Sequence, residues 1–182
     1  MTSPSAMAFA TPSKAALAAQ RDANLAWPKR KRVLALEGIM GDPKHQERCR
    51  QDPSRCEGHV LGNAVDITHD DGPDGPTGWR LAEMAITDPR TAYVISDGKI
   101  WSRNRSAEGW RAYTGPNPHT EHVHISIRPE MRNNAGPWPW VAAGPISASA
   151  AQGSKLVKAI LTPGKIVGAV IGGLIAAVGA KK

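Results

Sequence analysis

Two stretches hold the side chains that could do chemistry. The first is Glu57-Gly58-His59-Val60-Leu61-Gly62-Asn63-Ala64-Val65-Asp66-Ile67-Thr68; the second, far downstream, is His119-Thr120-Glu121-His122-Val123-His124-Ile125-Ser126. Each supplies imidazoles and carboxylates, and each runs into apolar or β-branched residues that read as a strand. A catalytic zinc centre takes three protein ligands from His, Asp or Glu and keeps one position for water. His59 and Asp66 could supply two of them, with Gly58 and Gly62 letting the backbone turn sharply enough to aim both at one ion. The third must come from the second stretch. There, period-two alternation puts Glu121 and Val123 on one face of a strand and His122 and His124 on the other. A glutamate beside such an ion can take a proton from water while the metal polarises a carbonyl. The implied reaction is metal-assisted hydrolysis of an amide.

His59-x-x-Gly62-x-Ala64-x-Asp66, followed by Glu121-x-x-His124, resembles the signature of the zinc D-Ala-D-Ala carboxypeptidase and dipeptidase family, and in particular its phage peptidoglycan endopeptidase branch. The resemblance covers roughly residues 13–130. It implies zinc on His59, Asp66 and His124, Glu121 as catalytic base, and an upstream arginine that holds a substrate carbonyl or carboxylate. Arg55 is the choice for that arginine, with Arg48 and Arg50 as rivals. It also implies an α+β fold of the hedgehog and D-Ala-D-Ala peptidase type, in which a small antiparallel sheet with flanking helices carries the metal. Two features depart from the pattern: Glu57 stands where the family usually has Ser, and the residue at the Glu121 position varies among phage relatives. His119 could stabilise the transition state or fix a loop by hydrogen bonding, and the first is preferred. His122 could replace His124 as ligand; the Glu-x-x-His spacing favours His124 and leaves His122 a supporting role.

The elements that must position these groups are partly legible. Ser13 caps an alanine-rich helix over residues 14–27 that Pro28 ends. The basic run Lys29-Arg30-Lys31-Arg32 reads as a solvated turn. His69 to Pro76 reads as an acidic surface loop beside the site, with His69 outside the ligand set. Thr77-Gly78 opens a short helix over 79–86, stopped by Asp88-Pro89, on which Trp79 and Glu83 share a face. Thr91–Ser96 and Lys99–Ser102 form a hairpin about Asp97-Gly98. Trp110 and Tyr113 stand before the second motif, where they could pack on a substrate or in the core.

At 182 residues the chain suffices for one ordinary domain with appendages. Six of its nine aromatic residues are Trp, which suggests exposed rings as well as core ones. A net charge of +7 draws it to polyanions, bacterial wall polymers among them, with no specific nucleic-acid motif. Residues 1–12 read as a flexible leader without a secretory pattern, so an enzyme of the wall would be made in the host cytoplasm or carried in a virion. Cys49 and Cys56 are placed for a local disulfide or as inert thiols. Residues 13–132 read as the catalytic domain and 133–154 as a Pro/Gly/Ala/Ser linker. Residues 155–182 read as a cationic, apolar helix, shorter in its uncharged core than the roughly 20 residues needed to span a bilayer, yet suited to membrane contact or to packing on a partner. The expectation is a zinc-dependent peptidoglycan peptidase cutting stem or cross-bridge peptides. The alternative is a wall-binding or tail structural protein that keeps the fold without turnover.

Overall fold

The structure, a computed structural model, describes residues 11–41, 43–52 and 58–142, all within the first of two units into which the chain divides, Met1–Ser147. Expectations for the leader up to Ala10, for Arg55, Cys56 and Glu57, and for everything from residue 143 onward, the apolar tail included, lie outside the described residues. The described fold is α+β. Helices α1 (Lys14–Ala26), α2 (Pro43–Gln51) and α3 (Gly78–Thr87) accompany strands β1 (Ala64–Thr68), β2 (Thr91–Ser96), β3 (Lys99–Ser102), β4 (Arg111–Ala112) and β5 (His122–Ile127). The strands form one antiparallel sheet in the order β1-β5-β2-β3-β4. Among the described residues no helix is long and apolar enough to cross a membrane.

The sheet's two faces follow from alternation. Val65, Ile67, Val94, Val123, Ile125 and Ile127 point to one side, where they pack against the alanine face of α1 and against Leu81, Ala82 and Ala85 of α3. Both helices begin as the sequence predicts, Ser13 Oγ accepting from the Ala16 amide and Thr77 Oγ1 from the Arg80 amide. The other face carries Asp66, His124 and Ile95, which stand opposite one another across β1, β5 and β2. An irregularity between Thr91 and Tyr93 shifts the β2 register, so Thr91 pairs with Ile127 on the core side and Tyr93 with Ser126 on the His124 side. One extra residue therefore moves the Tyr93 ring onto the chemical face.

Two readings of the sequence are corrected. The basic run is not simply a solvated turn: Arg30 is buried, its guanidinium on Glu37 and on Asn24 Oδ1, 2.8 Å away, because Glu37 lies in the interior and needs a partner. Residues 133–142 are not linker. Trp138 and Trp140 stack 4.7 Å apart in the core, their indole N–H groups donating to the carbonyls of Ala15 and Ala19, where the small side chains of α1 leave room for two large rings. Buried Arg90 pins the same segment, donating to the Gly136 and Pro137 carbonyls while its guanidinium lies over the Trp138 ring and pairs with Asp88. Of the two places open to Trp110, the structure shows the core: the ring packs against it, edge-on to Trp79 and donating to Glu83 Oε1 at 2.8 Å, and does not line the cleft.

Candidate metal centre

His59 sits in a tight turn ahead of β1. Gly62 adopts φ +66°, a left-handed conformation that glycine enters without cost, and its carbonyl accepts from the Ser13 amide at 2.8 Å. Gly58 lies close against the strand, where a Cβ would stand 2.8 Å from that of Ala64. The turn is tied to the segment in front of it twice. The Gly41 amide donates to the His59 carbonyl at 3.1 Å, and the His59 ring donates from Nδ1 to the Ile39 carbonyl at 2.9 Å. That second bond orients the ring and turns Nε2 toward β1 and β5.

There it meets the other two groups. His59 Nε2 lies 3.1 Å from His124 Nδ1 and 3.1 Å from Asp66 Oδ2, and His124 Nδ1 lies 3.0 Å from Asp66 Oδ1. Ligand atoms held tetrahedrally at zinc distances of about 2.0–2.1 Å are separated by about 3.3 Å. Two imidazole nitrogens and a carboxylate arranged this closely could therefore hold a metal ion with little movement. Burial by itself would raise the Asp66 carboxyl, but hydrogen bonds from His124 and His59, reinforced by their charge, outweigh it. The group is held well below the usual carboxylate range, in the anionic form that a metal requires.

The trio sits in a cleft of about 650 Å³. Leu34, Leu36, Met40 and Val60 line it together with Tyr93, Tyr113 and Asn117, and Arg48 reaches it from α2. The Tyr93 ring stacks on His124, with centroids 5.4 Å apart. His122 brings Nε2 to 3.7 Å from Asp66 Oδ2, and its Nδ1 has no hydrogen-bond partner. His119 packs edge-on to His122 at 4.8 Å and to His124 at 5.5 Å. Burial, then the charges of His124 and His122, lower the His119 imidazole to about 4 against an opposing pull from Asp66. Burial likewise lowers His122, against the attraction of Asp66. Both imidazoles are thus favoured in the neutral form near pH 7.

The sequence-predicted residues divide accordingly. His59, Asp66, His124 and His119 come together, and His122 joins them. Glu121, expected as base, is exposed and lines a neighbouring cavity of about 380 Å³ with His69, Asp70 and Asp71, not the cleft. Arg55 falls outside the described residues, and of its rivals Arg48 is the one that lines the cleft. Cys49 is disulfide-bonded. Tyr93 and the Ile39 carbonyl were not singled out from the sequence: a strand bulge exposes the first, and no sequence pattern marks a backbone oxygen.

No curated protein and no solved structure matches the chain. One family model does, described as the VldE C-terminal domain, over residues 34–124. That span is half of the chain and runs from the rim of the cleft at Leu34 to the last of the three grouped residues, His124. The chain therefore belongs to the VldE C-terminal domain family.

Proposed function

We propose that this protein is a zinc-dependent peptidase that hydrolyses amide bonds in the stem or cross-bridge peptides of bacterial peptidoglycan. The observation that carries the reading is the trio His59 Nε2, Asp66 and His124 Nδ1, preassembled at 3.0–3.1 Å in an open cleft beside two buried imidazoles favoured in the neutral form. His59, Asp66 and His124 would hold the zinc, and when bound it would supply polarisation of a carbonyl and a lowered pKa for water. The remaining chemistry belongs to the chain's own side chains. His122, neutral and next to Asp66, accepts the proton of the attacking water and returns it to the departing amine. His119, also neutral, offers a ring N–H to the oxygen on which negative charge develops. Arg48, at the cleft, attracts a peptide carboxylate. This distribution moves the base from Glu121 to His122, because a base must lie within hydrogen-bond reach of the proton it removes.

The resemblance of His59-x-x-Gly62-x-Ala64-x-Asp66 to wall peptidases supplies the substrate class, and the net charge of +7 suits an anionic wall. Release of new amino groups from purified peptidoglycan tests the reading. The wild-type protein should release them, a chelator should stop it, and His59→Ala should abolish both zinc binding and release. Bound zinc without amine release would instead favour a wall-binding protein that keeps the fold.

A further inference from the structure

The β2–β3 hairpin ends in Asp97 and Gly98 at φ +46° and +69°, the left-handed pair of a two-residue turn. Its amides do not face solvent. The Asp97 N–H donates to the His119 carbonyl at 3.0 Å and the Gly98 N–H to the Pro118 carbonyl at 2.7 Å. The Gly98 carbonyl in turn accepts from the Tyr113 amide at 2.8 Å. One turn thus holds three points of the loop that supplies Tyr113, Asn117 and His119 to the cleft. His119 is the other non-glycine residue with positive φ among those described, at +55°, and its amide is closed onto Asn117 Oδ1 at 3.0 Å. Such a backbone persists only where its surroundings over-determine it, and the two hairpin amides are among the surroundings that do so.

We propose that the Asp97-Gly98 turn is the positioning device of the cleft: its backbone fixes His119 in the left-handed conformation that aims its imidazole at His122 and His124. The assignment of a catalytic consequence rests on the peptidase reading; the positioning itself does not. Gly98 acts here through backbone conformation alone, because a Cβ at this position meets nothing within 4 Å. Valine at 98 cannot hold φ near +69° without strain, whereas asparagine tolerates it.

The test compares wild type, Gly98→Val and Gly98→Asn as full-length, zinc-loaded protein, each checked as folded at the assay temperature. Side-chain NMR should show nuclear Overhauser contacts between the His119 and His124 rings in wild type and Gly98→Asn, and their loss in Gly98→Val. In amine release, kcat should fall at least tenfold in Gly98→Val with zinc content and KM unchanged, and recover in Gly98→Asn. In a His119→Ala background, Gly98→Val should cause no further loss, since the turn acts through a ring no longer present. Ring contacts that survive in Gly98→Val, an equal kcat loss in both backgrounds, or loss of zinc from Gly98→Val would each overturn the proposal. A wild-type protein without amine release would defeat the peptidase reading, and the ring contacts alone would then decide the positioning.

Discussion

At the scale of single residues, the decisive fact is how His59, Asp66 and His124 restrain one another. The Ile39 carbonyl orients the His59 ring, and Asp66 spreads its two oxygens between the two imidazoles. The grouping was legible because one turn and one strand fix the spacing of His59 and Asp66, and His124 stands in a second strand-like motif that pairs with the first. The place of Glu121 outside the cleft was not used. Alternation already separates Glu121 from His122 and His124, and the structure follows alternation: Glu121 faces the neighbouring cavity. His122→Ala should therefore lower kcat by about 10²–10⁴ while zinc stays bound, and Glu121→Ala should change it by no more than a few-fold; steady-state kinetics with parallel zinc analysis decides. His119 predicts a pH dependence of stability in the chelated protein. Its imidazole is lowered to about 4 when folded, against about 6.5 when unfolded. Above pH 6.5 neither state carries the proton; between 6.5 and 4 the unfolded chain binds one that the folded chain refuses. Stability should fall as the pH drops through that window, by on the order of 3 kcal/mol at most. Urea midpoints should show this decline in wild type and a flatter profile in His119→Asn.

At the scale of elements, what could be read from pattern was read: the capped helices, the Asp97-Gly98 hairpin, and the strands of both motifs. What escaped depends on burial that composition does not reveal. A run of four basic residues looks solvated, yet Arg30 goes inside because the segment bridged to β1 at Gly38 brings buried Glu37, which also accepts from the Thr68 amide at 3.2 Å. Arg30→Met should leave that carboxylate only the Thr68 amide and Arg32, 3.7 Å away, and cost about 3 kcal/mol, and the double variant with Glu37→Gln should recover part of the loss; chemical denaturation of the four proteins closes the cycle. Likewise a segment rich in Pro and Gly looks like linker until Trp138 and Trp140 are seen capping the alanines of α1. Trp140→Ala should cost about 3–5 kcal/mol, read as a lowered denaturation midpoint. The β2 bulge that delivers Tyr93 to the cleft left no mark in the sequence, because Thr91-Ala92-Tyr93 reads equally well as regular strand.

At the scale of the molecule, the half of the chain that matches the family model contains the cleft but not its whole support. Residues 34–124 omit α1, the last residues of β5 and the tryptophan pair, all of them core. A fragment confined to 34–124 should remain unfolded by circular dichroism, whereas one spanning 11–142 should fold; a folded short fragment would show that α1 and the tryptophans are accessory. The positive charge of the full chain should make association with an anionic wall polymer weaken as salt rises, as exposed charges do when screened. Everything proposed about function depends on the cleft holding zinc through three named side chains. Zinc stoichiometry combined with X-ray absorption at the zinc edge tests this most directly. We expect one zinc per chain, with two imidazole nitrogens and a carboxylate oxygen at about 2.0–2.2 Å, and none in Asp66→Ala. A protein that binds no zinc, or whose zinc stays in place in Asp66→Ala, would contradict the account.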